Sequence, residues 1–303
     1  MTQTTRETLE AEVGRALAAA GADAYFHARD IDRGAEVGLG SDEPVVVASV
    51  FKIGVLLELT RQAAGGALSL EERIRVEHGD RVMGPTGLSG MLDDVELSLR
   101  DLAYLMMTIS DNTATDVIMR KLGLDRINET LRSLGVSETV LTGDCNLLLT
   151  SLLEDLGFDS AEAASTLAST LGDIEPDKIL SARSLRAEAT TRSTPRETAR
   201  LLELIWKDEA GPPEACAEVR RIMSLQVWRD RLSSGFPDEV RISGKTGTLP
   251  GIRNEAGVVE YPDGGRYAVA VFTRGHTFAW RQPAIDGVIG TVARLAVDRL
   301  RSS

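Results

Sequence analysis

The sequence contains little cysteine and little histidine. Its 303 residues include 2 cysteines, Cys145 and Cys216, which are too few and too isolated for a disulfide scaffold or a metal site. We therefore expect two free thiols. The 3 histidines, His27, His78 and His276, lack the spacing of metal ligands. These absences predict a protein without a bound metal or other cofactor.

Basic charge and long apolar runs are also scarce. The net charge of −12 argues against nucleic acid as a partner. No stretch reaches the roughly 18 uninterrupted apolar residues that span a bilayer. The first residues include acids where a signal peptide would have a basic stretch followed by an apolar one. The sequence predicts a cytoplasmic protein with no membrane partner, and it leaves the oligomeric state open.

Apolar side chains are abundant, and their spacing predicts the secondary structure. With 43% hydrophobic residues and no repeat or low-complexity linker, residues 1–303 can form one unit around a large core. Periodicity and turn residues predict strands at 22–30, 33–40, 240–248, 255–261 and 267–273, and helices at 5–20, 48–59, 99–108, 113–122, 126–134 and 283–299. Helices between two β-rich ends predict an α/β protein of the α+β type. Residues 1–48 and 240–303 would form an antiparallel sheet with flanking helices, and residues 49–239 an all-helical or mainly helical lobe.

The stretch VVVASVFKIGVLLEL places Ser49 and Lys52 three residues apart at the start of a strongly apolar helix. Residues at i and i+3 share one helix face, so the Lys52 ammonium can reach the Ser49 hydroxyl. The unpaired N–H groups of a helix N-terminus can stabilise negative charge on an acyl substrate. Nucleophile, base and part of an oxyanion hole can thus come from one turn, although a lone Ser-x-x-Lys is also expected about once by chance.

Two further motifs follow in a set order. A Ser-Asp-Asn motif begins at Ser110 in TISDNTATD, and a Lys-Thr-Gly motif begins at Lys245 in RISGKTGTLPGIRNEAGVV. Ser-x-x-Lys, Ser-Asp-Asn and Lys-Thr-Gly in this order are motifs of class A β-lactamases and penicillin-binding proteins. The chain resembles this family of serine hydrolases over most of its length, except from about 144 to 191. The resemblance implies a β-lactamase/transpeptidase-like fold.

The resemblance also implies catalytic roles for the motif residues. Ser49 would be the nucleophile and Lys52 the general base that activates it. Ser110 would pass a proton to the leaving group. Lys245 would hold Ser110 and a substrate carboxylate electrostatically. Asp111, between the two polar residues of its motif, is expected to have a structural role.

Other residues would bind the substrate. By the same resemblance, Asn112 would hydrogen-bond the acyl side chain, and Thr246 and Thr248 would contact the substrate from the opposite side. The backbone N–H groups of Ser49 and Thr248 would form the oxyanion hole. Arg253 would bind an anionic substrate group, although it could equally pair with Glu255 or Asp94.

The sequence departs from the family where class A β-lactamases have the glutamate that activates the deacylating water. The usual separation from Asn112 leads to Cys145 or Asn146, and the nearest carboxylate is Asp144. The following segment, to about residue 191, is longer than the family's loop and has helical patterns at 147–156 and from Asp159. We expect a helical insertion that is either a lid over the acyl pocket or a simple addition.

Three functions fit this pattern. The first is an intracellular serine esterase or amidase that acts on a small ester, amide or lactam through an acyl-enzyme on Ser49, because the groups for acylation are present while the glutamate for rapid β-lactam deacylation is missing. The second is a β-lactamase in which Asp144, or a carboxylate of the long loop such as Glu154, replaces that glutamate. The third is a non-catalytic ligand-binding protein, which the intact motifs argue against.

Overall fold

The computed structural model describes residues 3–158 and 167–302. Its α-helices are α1 (Gln3–Ala20), α2 (Lys52–Ala64), α3 (Leu99–Thr108), α4 (Asn112–Leu122), α5 (Leu124–Ser133), α6 (Cys145–Leu156), α7 (Leu167–Thr170), α8 (Pro176–Ser181), α9 (Pro195–Trp206), α10 (Pro213–Met223) and α11 (Pro283–Arg301). Its strands are β1 (Ala22–Asp30), β2 (Glu36–Leu39), β3 (Val45–Val46), β4 (Arg73–Val76), β5 (Val95–Ser98), β6 (Arg192–Ser193), β7 (Arg241–Leu249), β8 (Ile252–Glu260) and β9 (Arg266–Gly275). Across the described ranges, none of the helices has both the length and the apolar character required to cross a membrane.

Five strands from the two ends of the chain form one antiparallel sheet. Its order is β2-β1-β9-β8-β7, so β2 and β7 are the edge strands. Side chains alternate between the two faces of each strand. In β9, Val269 and Val271 join a core with α1 and α11, while Ala268 and Ala270 join the core of the helical lobe. Because both faces are covered, the edge of β7 is the part of the sheet that is left to form a site.

The helical lobe is built around α2. Its residues from Lys52 to Thr60 are all buried, so the first part of the helix is enclosed on every side. Helices α3, α4, α5 and α10 pack against it. The lobe also contains the two-stranded sheet of β4 and β5, so it is mainly rather than entirely helical. The N-terminal end of α2 adjoins β7, which brings the predicted nucleophile to the sheet edge.

The structure confirms most of the predicted elements. β1 has the predicted bounds and forms the predicted hairpin with β2, although β2 is shorter than expected. β8 begins earlier than predicted, at Ile252, and therefore includes Arg253. The helix predicted from Ala48 begins as the 3-10 helix Ala48–Phe51 and becomes α2 at Lys52.

The insertion is helical where the structure describes it. Helices α6, α7 and α8 surround a small apolar core that includes Leu152 and Ile179. The same core contains Val46 and Ala48, just before the predicted nucleophile. The insertion therefore packs against the turn that precedes Ser49. The helix predicted to begin at Asp159 lies outside the described residues.

Candidate active site

The candidate nucleophile lies on a strained turn between β3 and α2. Ser49 is half-buried within the 3-10 helix, and Ala48 before it has a φ of +46°. Residues other than glycine rarely adopt this conformation, which costs roughly 1–3 kcal/mol and is common at functional sites. Asn254 of β8 braces the turn, because its Nδ2 donates to the Val46 carbonyl at 2.9 Å. A strained and braced backbone presents the Ser49 hydroxyl in one fixed place.

Lys52 lies one helical turn after Ser49 and is completely buried. Its Nζ donates to the Ser110 carbonyl and to Asn112 Oδ1, both at 2.9 Å, and to Ser110 Oγ at 3.3 Å. Within the described part of the chain, Ser49 Oγ makes no hydrogen bond, so the predicted contact between Lys52 and the Ser49 hydroxyl is not formed in this structure. Lys52 therefore joins the Ser-Asp-Asn segment to the helix of the nucleophile, and it has to release a proton before it can accept one from Ser49.

Burial lowers the pKa of both motif lysines. For the pKa of Lys52, burial is the largest effect, and the neighbouring Cys145 and Asp116 act against it. For Lys245, burial and the charge of Lys52 hold the pKa well below its usual range. A lowered pKa increases the fraction of neutral amine near pH 7, which a general base requires.

The Ser-Asp-Asn segment forms a tight turn between α3 and α4. Ser110 has a φ of +62°. The buried Asp111 carboxylate caps the N-terminus of α4 and also accepts the Leu88 N–H at 2.7 Å, which confirms its structural role. Asn112 Nδ2 donates to the Met83 carbonyl at 2.9 Å. The turn holds Ser110 and Asn112 against the Lys52 ammonium.

Strand β7 forms the opposite wall of the site. A Cβ atom on Gly247 would lie 2.6 Å from the Val47 carbonyl oxygen and 3.3 Å from the Ser49 nitrogen. Only glycine therefore lets the strand come this close to the turn of the nucleophile. The Lys-Thr-Gly strand and the Ser-x-x-Lys helix meet at this contact.

Lys245 is completely buried beside this contact. Its Nζ donates to the Thr246 carbonyl at 2.9 Å. Ser110 Oγ instead accepts a hydrogen bond from Lys52 Nζ. The predicted link between Lys245 and Ser110 is thus not a hydrogen bond in this structure, and both residues belong to its described part.

The backbone of β7 points toward the pocket at two positions. The Thr246 N–H donates to the Gln226 side chain at 3.0 Å rather than to β8. Because successive donors alternate in direction along an antiparallel strand, the Thr248 N–H also points away from β8. This direction is the one required for Thr248 to share an oxyanion hole with the Ser49 N–H.

The prediction that Arg253 binds an anionic substrate group is not supported by its position. Arg253 is only 4% exposed. Its guanidinium donates to two carbonyls of the β7–β8 turn and to the Trp280 carbonyl, and it lies 3.6 Å from the Asp286 carboxylate. Buried donors that already have partners are not available to a ligand. Arg253 therefore fixes the β7–β8 turn against α11.

Arg231 instead brings positive charge to the exposed end of β7. Its Nη1 donates to the Gly247 and Asn254 carbonyls at 2.9 Å. Its Nε is paired with Asp286 at 2.8 Å. Its Nη2 donates to Thr248 Oγ1 at 2.8 Å, and Thr248 is exposed. Arg231 is itself only 7% exposed. An anion at this end of β7 would therefore be bound through the Thr248 hydroxyl, which accepts from Arg231 and can donate its own proton.

Cys145 is one of the two residues at which the usual separation would put the missing glutamate, and it lies beside Lys52. Its buried side chain neighbours Lys52 and Asp116, and burial raises the pKa of the thiol to about 12. Asp116 of α4 accepts the N–H groups of Cys145 and Asn146, each at 2.8 Å. Burial is the main cause that raises the pKa of Asp116 to about 6. The site thus contains a protonated thiol next to Lys52 and a carboxylate whose two oxygens hold the start of α6.

The two carboxylates predicted as substitute bases have other partners. Asp144 caps the N-terminus of α6 and accepts the Leu147 N–H at 2.9 Å. Glu154 is exposed and is paired with Arg183 at 2.8 Å. Neither makes a hydrogen bond to the predicted nucleophile or base, although all of these residues are described.

The sequence analysis missed Asp116 and Arg231. Asp116 lies one helical turn after Asn112, so the two side chains share a face of α4, and this spacing was a usable signal. Arg231 lies in a segment without a motif, and only the fold brings it to β7. Among residues 3–158 and 167–302, no group of three or more His, Cys, Asp or Glu side chains is arranged to hold a metal ion.

Comparison with known sequences agrees with this geometry. The profile described as the β-lactamase enzyme family matches residues 7–300. The β-lactamase regulatory protein BlaB of Streptomyces cacaoi is 31% identical over 314 residues, which cover 97% of this chain and 98% of that protein. The β-lactamase of Streptomyces albus G is 26% identical over 292 residues, which cover 93% of this chain and 81% of that protein.

Solved structures share the fold. The β-lactamase from Sphaerobacter thermophilus has a TM-score of 0.75 and 24% identity, and the match covers 97% of each chain. PBP-A has a TM-score of 0.77 and 21% identity, with 99% of this chain and 97% of PBP-A covered. The sheet lobe and helical lobe thus have the β-lactamase/transpeptidase-like arrangement predicted from the motifs.

Proposed function

The chain belongs to the β-lactamase enzyme family and is a serine hydrolase; from this premise we propose that it is an esterase or amidase that forms an acyl-enzyme on Ser49. The proposal depends on one contrast. The groups proposed for acylation surround Lys52, whereas the residues at which the family's spacing predicts the deacylating glutamate are Cys145, a protonated thiol, and Asn146. This contrast favours a small ester or amide substrate over a β-lactam that is turned over rapidly. An intracellular setting remains a prediction from the sequence.

In the proposed acylation, neutral Lys52 accepts the proton of Ser49 Oγ as this oxygen attacks the substrate carbonyl carbon. The carbonyl electrons move to oxygen, where the N–H groups of Ser49 and Thr248 stabilise the negative charge. The proton then passes from Lys52 through Ser110 Oγ to the leaving oxygen or nitrogen. The bond to the leaving group breaks, and the acyl group remains on Ser49. The 3.3 Å contact between Lys52 Nζ and Ser110 Oγ supports this route.

We propose that the substrate carries an anionic group next to β7. Thr248 and Arg231 would bind this group at the exposed end of the strand, with Thr246 and the Lys245 charge behind them. Arg231 takes the role predicted for Arg253, because only Arg231 donates to the exposed Thr248 hydroxyl. On the other side of Ser49, the half-buried side-chain amide of Asn112 would contact the acyl group.

Deacylation would depend on Lys52 as the base. The alcohol released from an ester can leave the pocket, so a water molecule can approach the acyl carbon beside Lys52. The amine released from a β-lactam ring stays attached to the acyl group and blocks that approach. We therefore expect small esters to be turned over and β-lactams to remain on Ser49.

An intact-mass time course tests this proposal. The protein is mixed with penicillin G or with 4-nitrophenyl butyrate, and Ser49→Ala is the control. We expect a persistent penicilloyl adduct on the wild type, no adduct on Ser49→Ala, and turnover of the ester. Rapid hydrolysis of penicillin without a lasting adduct would contradict the proposal, because another group would then activate water. Penicillin G is a suitable probe because a variant of the structural neighbour PBP-A has been solved as its acyl-enzyme.

A role as a sensor is a second candidate. The relative from Streptomyces cacaoi is named a β-lactamase regulatory protein. If both the penicillin and the ester form lasting adducts in the same time course, acylation of Ser49 would be a signal rather than a step of turnover. A short-lived adduct with the ester would exclude this second candidate.

A further inference from the structure

Glu255 is a completely buried carboxylate that the proposed mechanism does not use. It lies on β8, opposite Thr246 of β7. Its Oε1 accepts Gln226 Nε2 at 2.6 Å, and its Oε2 accepts the Leu232 N–H at 2.7 Å. A Cβ atom on Gly244 would lie 2.7 Å from Oε1. The carboxylate can therefore reach across β7 because this position of the strand is a glycine.

Both hydrogen bonds lead to the substrate-binding side of β7. Gln226 Oε1 accepts the Thr246 N–H at 3.0 Å, so the Gln226 amide bridges Glu255 and the strand edge. Leu232 directly follows Arg231, the proposed anion-binding residue. One carboxylate thus fixes the edge of β7 and also the backbone next to Arg231.

We propose that Glu255 is a positioning residue for substrate binding: through Gln226 and Leu232 it holds the edge of β7 and the Arg231 guanidinium where an anionic substrate needs them. Glu255 itself does not touch the substrate, and its effect is on binding rather than on the chemical step. This inference rests on the proposed function.

The direction of each hydrogen bond makes this arrangement depend on the carboxylate. The N–H groups of Thr246 and Leu232 both need an acceptor, and Gln226 donates to the carboxylate with its only NH₂ group. In Glu255→Gln, one carboxylate oxygen becomes an NH₂ group. Gln226 then has to turn its oxygen toward residue 255, which leaves its own NH₂ group facing the Thr246 N–H. One buried donor loses its acceptor, and such a loss weakens an interaction by about tenfold or more.

Protonation should have a similar effect to the Glu255→Gln substitution. Burial is the main cause that raises the pKa of Glu255 to about 7. The hydrogen bonds from the Leu232 N–H and Gln226, and the positive charges of Arg231 and Lys245, act to lower it. The charged groups that face it are Arg231 and Lys245. A protonated carboxyl group no longer accepts at both oxygens. We therefore expect the KM of an anionic substrate to rise as the pH falls through about 7, and this dependence to be lost in Glu255→Gln.

Two esters of similar length separate binding of the anion from general damage. One is 5-(butyryloxy)-2-nitrobenzoic acid, which is 4-nitrophenyl butyrate with a carboxylate on its leaving group, and the other is the neutral 4-nitrophenyl butyrate. For Glu255→Gln we expect KM for the anionic ester to rise about tenfold with kcat within about twofold. KM for the neutral ester should stay within about twofold. Equal losses for both esters, or no loss for either, would overturn the inference.

A reciprocal exchange provides the rescue. In the double variant Glu255→Gln/Gln226→Glu, the new carboxylate at residue 226 accepts two hydrogen bonds, one from the Thr246 N–H and one from the NH₂ group of residue 255. The side-chain oxygen of residue 255 accepts the Leu232 N–H. All three hydrogen bonds can then form, and we expect KM for the anionic ester to return to within about threefold of the wild type. Glu203→Gln is the matched control, because Glu203 is also buried but is paired with Arg29 away from the site. It should leave both KM values unchanged.

Amide hydrogen exchange tests the arrangement without any substrate. Peptides that cover residues 225–235 and 241–249 should exchange about tenfold faster in Glu255→Gln and at the wild-type rate in Glu203→Gln. Unchanged exchange in Glu255→Gln would overturn the inference whatever the kinetics show. If the wild type forms no adduct and hydrolyses neither ester, the proposed function fails, and a role in substrate binding fails with it. Exchange data would then still decide whether Glu255 holds the β7 edge.

Discussion

Asp116→Asn should remove a dependence of the protein's stability on pH between about pH 4 and pH 7. Burial raises the pKa of Asp116 from the ordinary 3.8 to about 6, although its carboxylate accepts two backbone N–H groups. Each pKa unit corresponds to about 1.4 kcal/mol, so the ionised carboxylate lowers the free energy of unfolding by about 3 kcal/mol relative to the neutral acid. Asparagine has no charge, but its NH₂ group leaves one of the two N–H groups at the start of α6 without an acceptor, which costs about 1–3 kcal/mol at every pH. The variant should therefore be less stable than the wild type at low pH and regain about 3 kcal/mol relative to it where the wild type is ionised.

The gain should depend on pH with a defined sign. Between about pH 4 and pH 6, the unfolded chain has released the Asp116 proton while the folded protein keeps it. The folded state binds more protons in this range, so a rise in pH favours unfolding of the wild type. The variant does not titrate at this position. The free energy of unfolding of the variant minus that of the wild type should be about −1 to −3 kcal/mol at pH 4, rise by about 3 kcal/mol by pH 6 to 7, and stay constant above that.

Urea unfolding at pH 4 and pH 8 measures this difference. Asp30→Asn is the matched control, because Asp30 is equally buried and also accepts two backbone N–H groups, but it is paired with Arg33 at 2.7 Å. Asp30→Asn leaves either the two N–H groups of the turn or the Arg33 Nε without their acceptor, so this control should lose stability at both pH values. A difference between Asp116→Asn and the wild type that is the same at both pH values, or that shifts against the variant at pH 8, would refute the reasoning.

Two further predictions concern the residues around the pocket. Arg253→Ala should lower the free energy of unfolding by about 2–4 kcal/mol, because the Arg253 guanidinium donates hydrogen bonds to backbone carbonyls. It should change KM for an anionic ester less than about threefold. Arg231→Ala should raise the KM for the same ester at least about tenfold. Urea unfolding and steady-state kinetics of both variants test which arginine binds the anion. A large rise in KM for Arg253→Ala with little change for Arg231→Ala would assign the anion to Arg253. Cys145→Ser should change the half-life of the penicilloyl adduct less than about threefold, because a thiol whose pKa is raised to about 12 does not accept a proton from water at neutral pH. A large change in the mass time course would show that the sulfur takes part in deacylation.

The sequence predicted those parts of the site that depend on local spacing. Ser49 and Lys52 share one helical turn, and Asp111 caps α4, because both features are set within a few residues. The register of β7 and β8 was also within reach, since a short turn joins the two strands. What the sequence could not show is which arginine reaches the pocket. Arg253 was assigned to the substrate, but Asp286 of α11 and the Trp280 carbonyl hold it in the interior, and these residues come from a distant part of the chain.

The sequence also could not predict the partners of side chains that contact three or more segments of the chain. Glu255 was noted as a possible partner of Arg253, yet its carboxylate bonds Gln226 and the Leu232 N–H. Its position became clear only when β8, β7 and the segment before β7 were seen together. Charge and polarity in a sequence predict that such a residue needs partners, but only the fold shows which partners it has.

The insertion is connected to acylation more directly than to deacylation. Ala48 and Ser110 both have positive φ values, and such conformations persist only where the surrounding structure fixes them. Ala48 packs in the apolar core of the insertion, next to the β7–β8 turn. Asp144 and Glu154, the two carboxylates that were considered as bases, both have other partners in the described residues. Asp144 caps α6, and Glu154 is paired with Arg183. The insertion therefore packs against the strained turn of the proposed nucleophile, and the partners of these two carboxylates argue against either of them as the missing base.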